Sequence, residues 1–343
     1  MTEHPATSGF GVQRWDRLSI SFTGAFGGLA VALIFVPVLL GSNSTAKLTS
    51  LLILVILATM WNALAGYGGL VSIGQQAFIG LGAYGTVWLV HHNLKPYEAM
   101  VVAALACGAI SIPLSFVVLR FSGAQFAIGM WVVAEAAAIL VSFDGSLGAG
   151  TGTSLIELNS YSPHQRQEYT YWLTLAFAAV FLALLFLLLR SRLGASLQAI
   201  RDDEEAAASL GVRVVAGKRF LFVVAAVGCG AAGAMTLANT LFIEPSSIFG
   251  VDWTAYMIFM VLVGGLGTFE GPIIGAIVLF LIQNEFGDNG VWYLVGLGAA
   301  AIGFALLLPR GVWGTVEERF GFRLMPVGYR LRRLSATPVE EIS

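Results

Sequence analysis

The strongest constraint in this chain is a series of long apolar runs almost free of charge. They cover approximately residues 20–41, 48–66, 70–90, 99–119, 123–143, 170–189, 220–242, 253–266, 272–284 and 291–308. A helix rises about 1.5 Å per residue, so roughly 20 apolar residues cross a hydrocarbon core of about 30 Å. Inside a bilayer every backbone N–H and C=O must pair within the protein, which leaves helices as the fold for such runs. Glu135 is the only charged residue in all ten. The pattern predicts an all-α, polytopic membrane helical bundle with about ten transmembrane segments. The first run exceeds the roughly 7–15 residues of a signal-peptide core, so it is read as a spanning helix.

Composition agrees and removes other classes. Charged residues make up 11% of the 343 residues, against about 25% in a soluble domain. The formal net charge of −2 offers no global attraction to a polyanion, which excludes a nucleic-acid partner. Orientation follows from the positive-inside rule. With both termini cytoplasmic, fifteen Lys and Arg residues fall inside and only Lys47, Lys95 and Arg166 fall outside. The organisation expected is a cytoplasmic amino-terminal tail over 1–19 and a transmembrane permease domain over 20–315. A basic cytoplasmic carboxyl-terminal tail follows over 316–343, attracted to anionic membrane lipid.

Catalytic chemistry is hard to assemble from these residues. Cys107 and Cys229 sit in separate apolar runs, and His4, His91, His92 and His164 show no metal-ligand spacing, so no metal site is expected. Gly80-Leu-Gly82-Ala-Tyr-Gly85 and Gly228-Cys-Gly230-Ala-Ala-Gly233 both fit GxGxxG but lie in helical runs rather than after a strand. The stretch Gly211 to Lys218 is one residue too long for a phosphate-binding loop and continues with Arg219 instead of Ser or Thr. No catalytic residue and no cofactor is expected in this chain. Ion-coupled carriers usually carry several intramembrane charges; here Glu135 stands alone.

Two regions depart from plain spanning helices. Residues 70–90 pack Gly74, Gly80, Gly82 and Gly85 around Ser72, Gln75 and Gln76, and the glycine-rich GLGTFEGP separates two short runs at 253–266 and 272–284. Interrupted segments can line a transport path, while small residues equally let helices pack closely. Asn62, Ser72, Gln75, Gln76 and Glu135 are the substrate-path candidates; Glu135 either faces the bundle interior in a path or inter-helix contact, or is simply tolerated, since eight apolar neighbours in its span offset the cost of about 3 kcal/mol.

The segment 190–219, RSRLGASLQAIRDDEEAAASLGVRVVAGKR, is the largest internal cytoplasmic loop. Leu193, Leu197, Ile200 and Ala207 fall near one helical face, and Gly211 is a stop signal. Such a helix is either simply solvated or shaped to dock in a partner's groove. Glu205-Ala206-Ala207-Ala208-Ser209-Leu210-Gly211 fits EAAxxxG, similar to the cytoplasmic motif of ABC-importer permeases. In order along the chain stand WNALAGYGGLVSIGQQAFIGLGAYG (61–85), GASLQAIRDDEEAAASLGV (194–212), PSSIFG (245–250), VLVGGLGTFEGPIIGA (261–276) and LLLPRGVWG (306–314). Together these resemble the permeases of branched-chain amino-acid ABC importers, particularly the M-type subunit. One departure is the pair Gln75 and Gln76 after Ser72-Ile73-Gly74, where the family often has a histidine or a small residue.

The resemblance implies a multi-pass subunit in the bacterial plasma (inner) membrane. Its expected partners are a homologous sister permease, two cytoplasmic ABC ATPases and an extracytoplasmic solute-binding protein, with ATP and Mg held by the ATPases. It also implies an ATPase-coupling loop carrying Arg201, Asp202, Glu205, Ala206, Ala207 and Gly211. Related permeases import urea, short amides and other amino acids, so these stay as alternative solutes. An ion-coupled carrier or facilitative channel is the alternative from another class.

Overall fold

The computed structural model describes residues 10–13, 24, 27–28, 30–39, 41–287, 290–320 and 330–333. Its helices are α1 (Ser42–Asn62), α2 (Gln76–His91), α3 (Pro96–Val118), α4 (Gly123–Phe143), α5 (Pro163–Arg190) and α6 (Arg192–Asp202). They continue with α7 (Glu204–Ser209), α8 (Val214–Thr240), α9 (Asp252–Gly264), α10 (Gly271–Phe286), α11 (Val291–Leu307) and α12 (Gly311–Phe320). Helices α1 and α8 form the buried centre, while α4 and α11 leave most of their surface outward. Helix α8 packs on α1, α2 and α3; α1 also packs on α5 and on the α9–α10 pair.

Seven helical stretches among the described residues are long and apolar enough to cross a membrane: 42–67, 96–118, 123–143, 163–190, 214–240, 245–264 and 292–319. The expected count of ten is larger for two physical reasons. Helices α2 and α10 have 16 residues each, about 24 Å of rise and short of the core. Part of the first run (20–23, 25–26, 29 and 40), and both outer portions of the expected tails, lie outside the described residues.

The described part of that first run is kinked where Pro37 lacks an N–H. The Leu33 carbonyl, which an N–H at position 37 would have served, instead accepts from Tyr171 Oη at 2.8 Å. The Ile34 carbonyl accepts from Trp172 Nε1 at 3.1 Å, because the Val38 N–H has turned to Phe35. Two side chains of α5 thus replace the missing helical bonds.

Small residues set the tightest crossings. An added Cβ on Gly82 would overlap the Gly230 carbonyl, and one on Gly233 would overlap the Ile79 carbonyl. Both GxGxxG stretches therefore form the α2–α8 crossing, where missing side chains let backbones touch. Gly264 and Gly275 repeat the device between α9 and α10, against Gly271 and Met260.

Strand Phe10–Gln13 pairs antiparallel with Arg330–Arg333, Phe10 opposite Arg333 and Gln13 opposite Arg330.

Candidate functional site

The site forms where two interrupted hairpins meet the 190–219 loop. After Asn62, α1 widens into a π-turn over Ala63–Tyr67 and then stops at Gly68-Gly69, with Gly69 at φ +67. Residues 70–75 return into the bundle without helical structure before α2 begins. The expected span 70–90 is thus an extended entry followed by a short helix. A second break separates α9 from α10, where Gly265 and Gly267 adopt φ +131 and +74, conformations that favour glycine. Thr268 closes this turn: its Oγ1 donates to the Gly265 carbonyl at 2.7 Å and accepts the Gly271 N–H at 3.1 Å.

Asn62 joins the two breaks. Fully buried, it accepts the Gly267 N–H at Oδ1 and donates from Nδ2 to the Thr268 carbonyl, both at 2.9 Å. Arg201, at the end of α6, reaches the same junction. Its Nη1 donates to the Gly66 carbonyl at 2.8 Å, while Nε and Nη2 clamp Asp202 Oδ1 at 2.9 and 2.7 Å. A Cβ added at Gly267 would lie 3.2 Å from Arg201 Nη1, so guanidinium and both breaks occupy one contact. The sequence treated Asn62 as path-lining and Arg201 as loop; the fold puts both in one hydrogen-bonded junction.

The loop itself is two helices, not the single one expected over 194–211. Asp203 takes φ −157, and its Oδ1 accepts the Ala206 N–H at 2.9 Å, capping α7 and ending α6. Ser191 caps α6 in the same way through the Gly194 N–H at 3.3 Å. Leu197, Ile200 and Ala207 are buried against the bundle, whereas Leu193 faces out. Gly211 has φ +83 and open space around it, and ends α7 as a left-handed cap. Glu204 is paired with Lys218. Asp202, Glu205, Ala206 and Gly211 are all exposed, and the neighbouring Leu210 is 83% exposed. The loop therefore presents an exposed apolar knuckle between the acids at 202–205 and Arg213.

The remaining path candidates form a second cluster deeper in the bundle. Ser72, Gln75 and Gln76 are fully buried. Ser72 Oγ accepts from the Gly74 N–H at 3.3 Å and from Gln75 Nε2 at 3.1 Å, and its carbonyl accepts from Trp61 Nε1 at 2.9 Å. Gln76 donates to the Ile73 carbonyl at 3.1 Å and accepts from Thr254 Oγ1 at 2.5 Å. Gln75 Oε1 is buried with no hydrogen-bond partner. Trp61, Thr254 and Thr268 were not singled out in the sequence; only the glycine-rich GLGTFEGP pointed toward Thr268.

These two glutamines make opposite predictions. Gln75→Leu removes an orphaned acceptor and one donor to Ser72 Oγ, which keeps the Gly74 N–H, and should change stability by less than about 1 kcal/mol, whereas Gln76→Leu strands Ile73 and Thr254 groups and should cost about 1–3 kcal/mol. Thermal unfolding of the solubilised protein checks both. Loss of transport in the stable Gln75→Leu chain would mark Gln75 as path-lining.

Glu135 corrects an expectation. It sits on the outer face of α4, exposed, accepting from Trp131 Nε1 at 3.1 Å. The inner face of α4 is taken by Phe126, Met130 and Ala134, and the Met130 carbonyl abuts Gly74 so closely that no Cβ fits. Cys107 and Cys229 are buried free thiols. Among the described residues no three His, Cys, Asp or Glu gather to hold a metal.

The chain matches the family described as branched-chain amino acid transport system / permease component over residues 43–302. Among curated proteins it is similar to the high-affinity branched-chain amino acid transport system permease protein LivM of Escherichia coli strain K12. The identity is 28% over 299 residues, covering 79% of this chain and 70% of the relative. The LivM of Salmonella typhimurium is 26% identical over 303 residues, covering 80% and 71%. No solved structure matches.

Proposed function

The chain belongs to the branched-chain amino-acid transport permease family, and from that premise we propose that it is the membrane subunit of an ABC importer. In this reading it moves leucine, isoleucine and valine into the cell across a bacterial inner membrane, both termini cytoplasmic. It performs no catalysis and binds no cofactor itself. Two partner ATPases hold ATP and Mg, a sister permease completes the membrane unit, and an extracytoplasmic binding protein delivers the solute.

The observation that carries this reading is the contact of Arg201 with Gly66 beside Gly267. Accumulating a solute costs about 1.4 kcal/mol per tenfold gradient, which must arrive from outside the chain. The exposed Leu210–Gly211 knuckle is the surface for an ATPase groove. Leu197 and Ile200 anchor α6 to the bundle, so displacement of the knuckle moves α6 as a lever. Arg201 passes that motion to the α1 break, and Asn62 passes it to the α9–α10 break. Backbone without helical bonds is where a hairpin tilts at least cost.

Uptake of labelled leucine, isoleucine, valine and urea, with and without this gene, tests the proposal. Loss of the three amino acids with urea untouched is expected. Loss of urea alone would move the solute and keep the mechanism. Replacing Gly211 by Val, which cannot comfortably hold φ +83, or Glu205 by Lys, should abolish uptake with insertion intact. Normal uptake in both variants would refute the coupling role of the loop.

A further inference from the structure

Helix α4 carries an acid where a lipid-facing helix cannot easily hold one. Glu135 lies about 18 Å along the axis from Gly123 and about 12 Å from Phe143, at roughly 1.5 Å per residue, so it stands near mid-membrane. Ile128, Val132 and Ile139 share its outward face and are exposed by more than half. Intramembrane acids face protein or a water-filled cavity, since lipid exposure costs about 3 kcal/mol even on the most lenient scale. Val180, an outward residue on α5, shows what a lipid-compatible face looks like here: it is apolar, and no charged residue lies within a turn of it on that helix.

Among the path candidates, Gln75 Oε1 is buried without a partner. Asn62, Ser72 and Gln76 are bonded within the two clusters described above. Glu135 differs, because it is exposed and its Oε1 accepts from Trp131 Nε1 of the same helix. Resting on the importer reading, we propose that this face of α4 is a wetted seam closed by the sister permease. The Glu135 carboxylate there contacts the ammonium group of the passing amino acid, with Trp131 orienting it. A single exposed carboxylate suits this task, since a path contact must release what it binds. No such contact would be made by urea, which has no cationic group.

Two measurements on the assembled complex in native membranes test this. A photocrosslinking amino acid at Val132 should join this chain to the sister permease. Adducts with lipid alone, or with a second copy of this chain, would overturn the seam. Glu135→Gln keeps an acceptor for Trp131 but loses the charge, so with saturating loaded binding protein leucine uptake should fall about tenfold, and Glu135→Asp should recover most of it. Wild-type uptake in Glu135→Gln, or equal loss in both variants, would overturn the ammonium contact. The crosslink does not depend on the solute, so failure of the importer reading, seen as no ATP-dependent uptake by the wild type, is separable from failure of the seam.

Discussion

Replacing Arg201 by Met is expected to abolish amino-acid uptake while the chain remains inserted and assembled. The substitution keeps the aliphatic stem and removes every donor, so the buried Gly66 carbonyl loses its 2.8 Å partner. An orphaned buried acceptor costs about 1–3 kcal/mol, which a helical membrane protein with this much buried surface tolerates. What it loses is the tie between α6 and the α1 break. Arg201→Lys should be intermediate, because an ammonium can reach Gly66 or Asp202 but cannot fork between them. The check is paired: uptake of leucine, and stimulation of ATP hydrolysis by solute-loaded binding protein. Both should vanish together in Arg201→Met. Normal stimulated hydrolysis with normal uptake would remove Arg201 from the transmission route.

Asn62→Leu should be the most destabilising single change in the junction. It strands the Gly267 N–H and the Thr268 carbonyl at once, at a combined cost of about 2–5 kcal/mol. Asn62→Asp separates the two bonds: the Gly267 N–H keeps an acceptor, while the Thr268 carbonyl meets one. Thermal unfolding of the solubilised complex should order the variants wild type, Asn62→Asp, Asn62→Leu, with Asn62→Leu accumulating poorly in membranes. A wild-type melting temperature in Asn62→Leu would mean that the α9–α10 turn holds itself together without the amide.

Hydropathy made the architecture legible because bilayer solvation acts on whole runs, and each described run does contain a helix. It could not count crossings, since α2 and α10 are shortened by backbone breaks that carry almost the same apolar residues as their helices. Glycine pointed to the second break, through GLGTFEGP, but the glycines singled out over 70–90 (Gly74, Gly80, Gly82 and Gly85) lie past the first break at Gly68-Gly69, and none of them said what bridges the two. Asn62 and Thr268 are far apart in sequence and meet only through the packing of α1 on α10. The division of the loop at Asp203 was legible in principle, as Asp three residues before Ala206 is a capping pattern; the alanine-rich continuation hid it. The face of Glu135 was not legible, because α4 is apolar all round and such a helix has no preferred inner side in its sequence.

In the proposed importer, energy enters through the loop and is supplied by a partner's ATP. The most direct test of this is leucine uptake into proteoliposomes holding the purified complex, with the binding protein outside and ATP or none within. Uptake is expected to require ATP, to ignore imposed ion gradients and to disappear with Gly211→Val. Uptake by this chain alone, driven by an ion gradient without ATP, would contradict it.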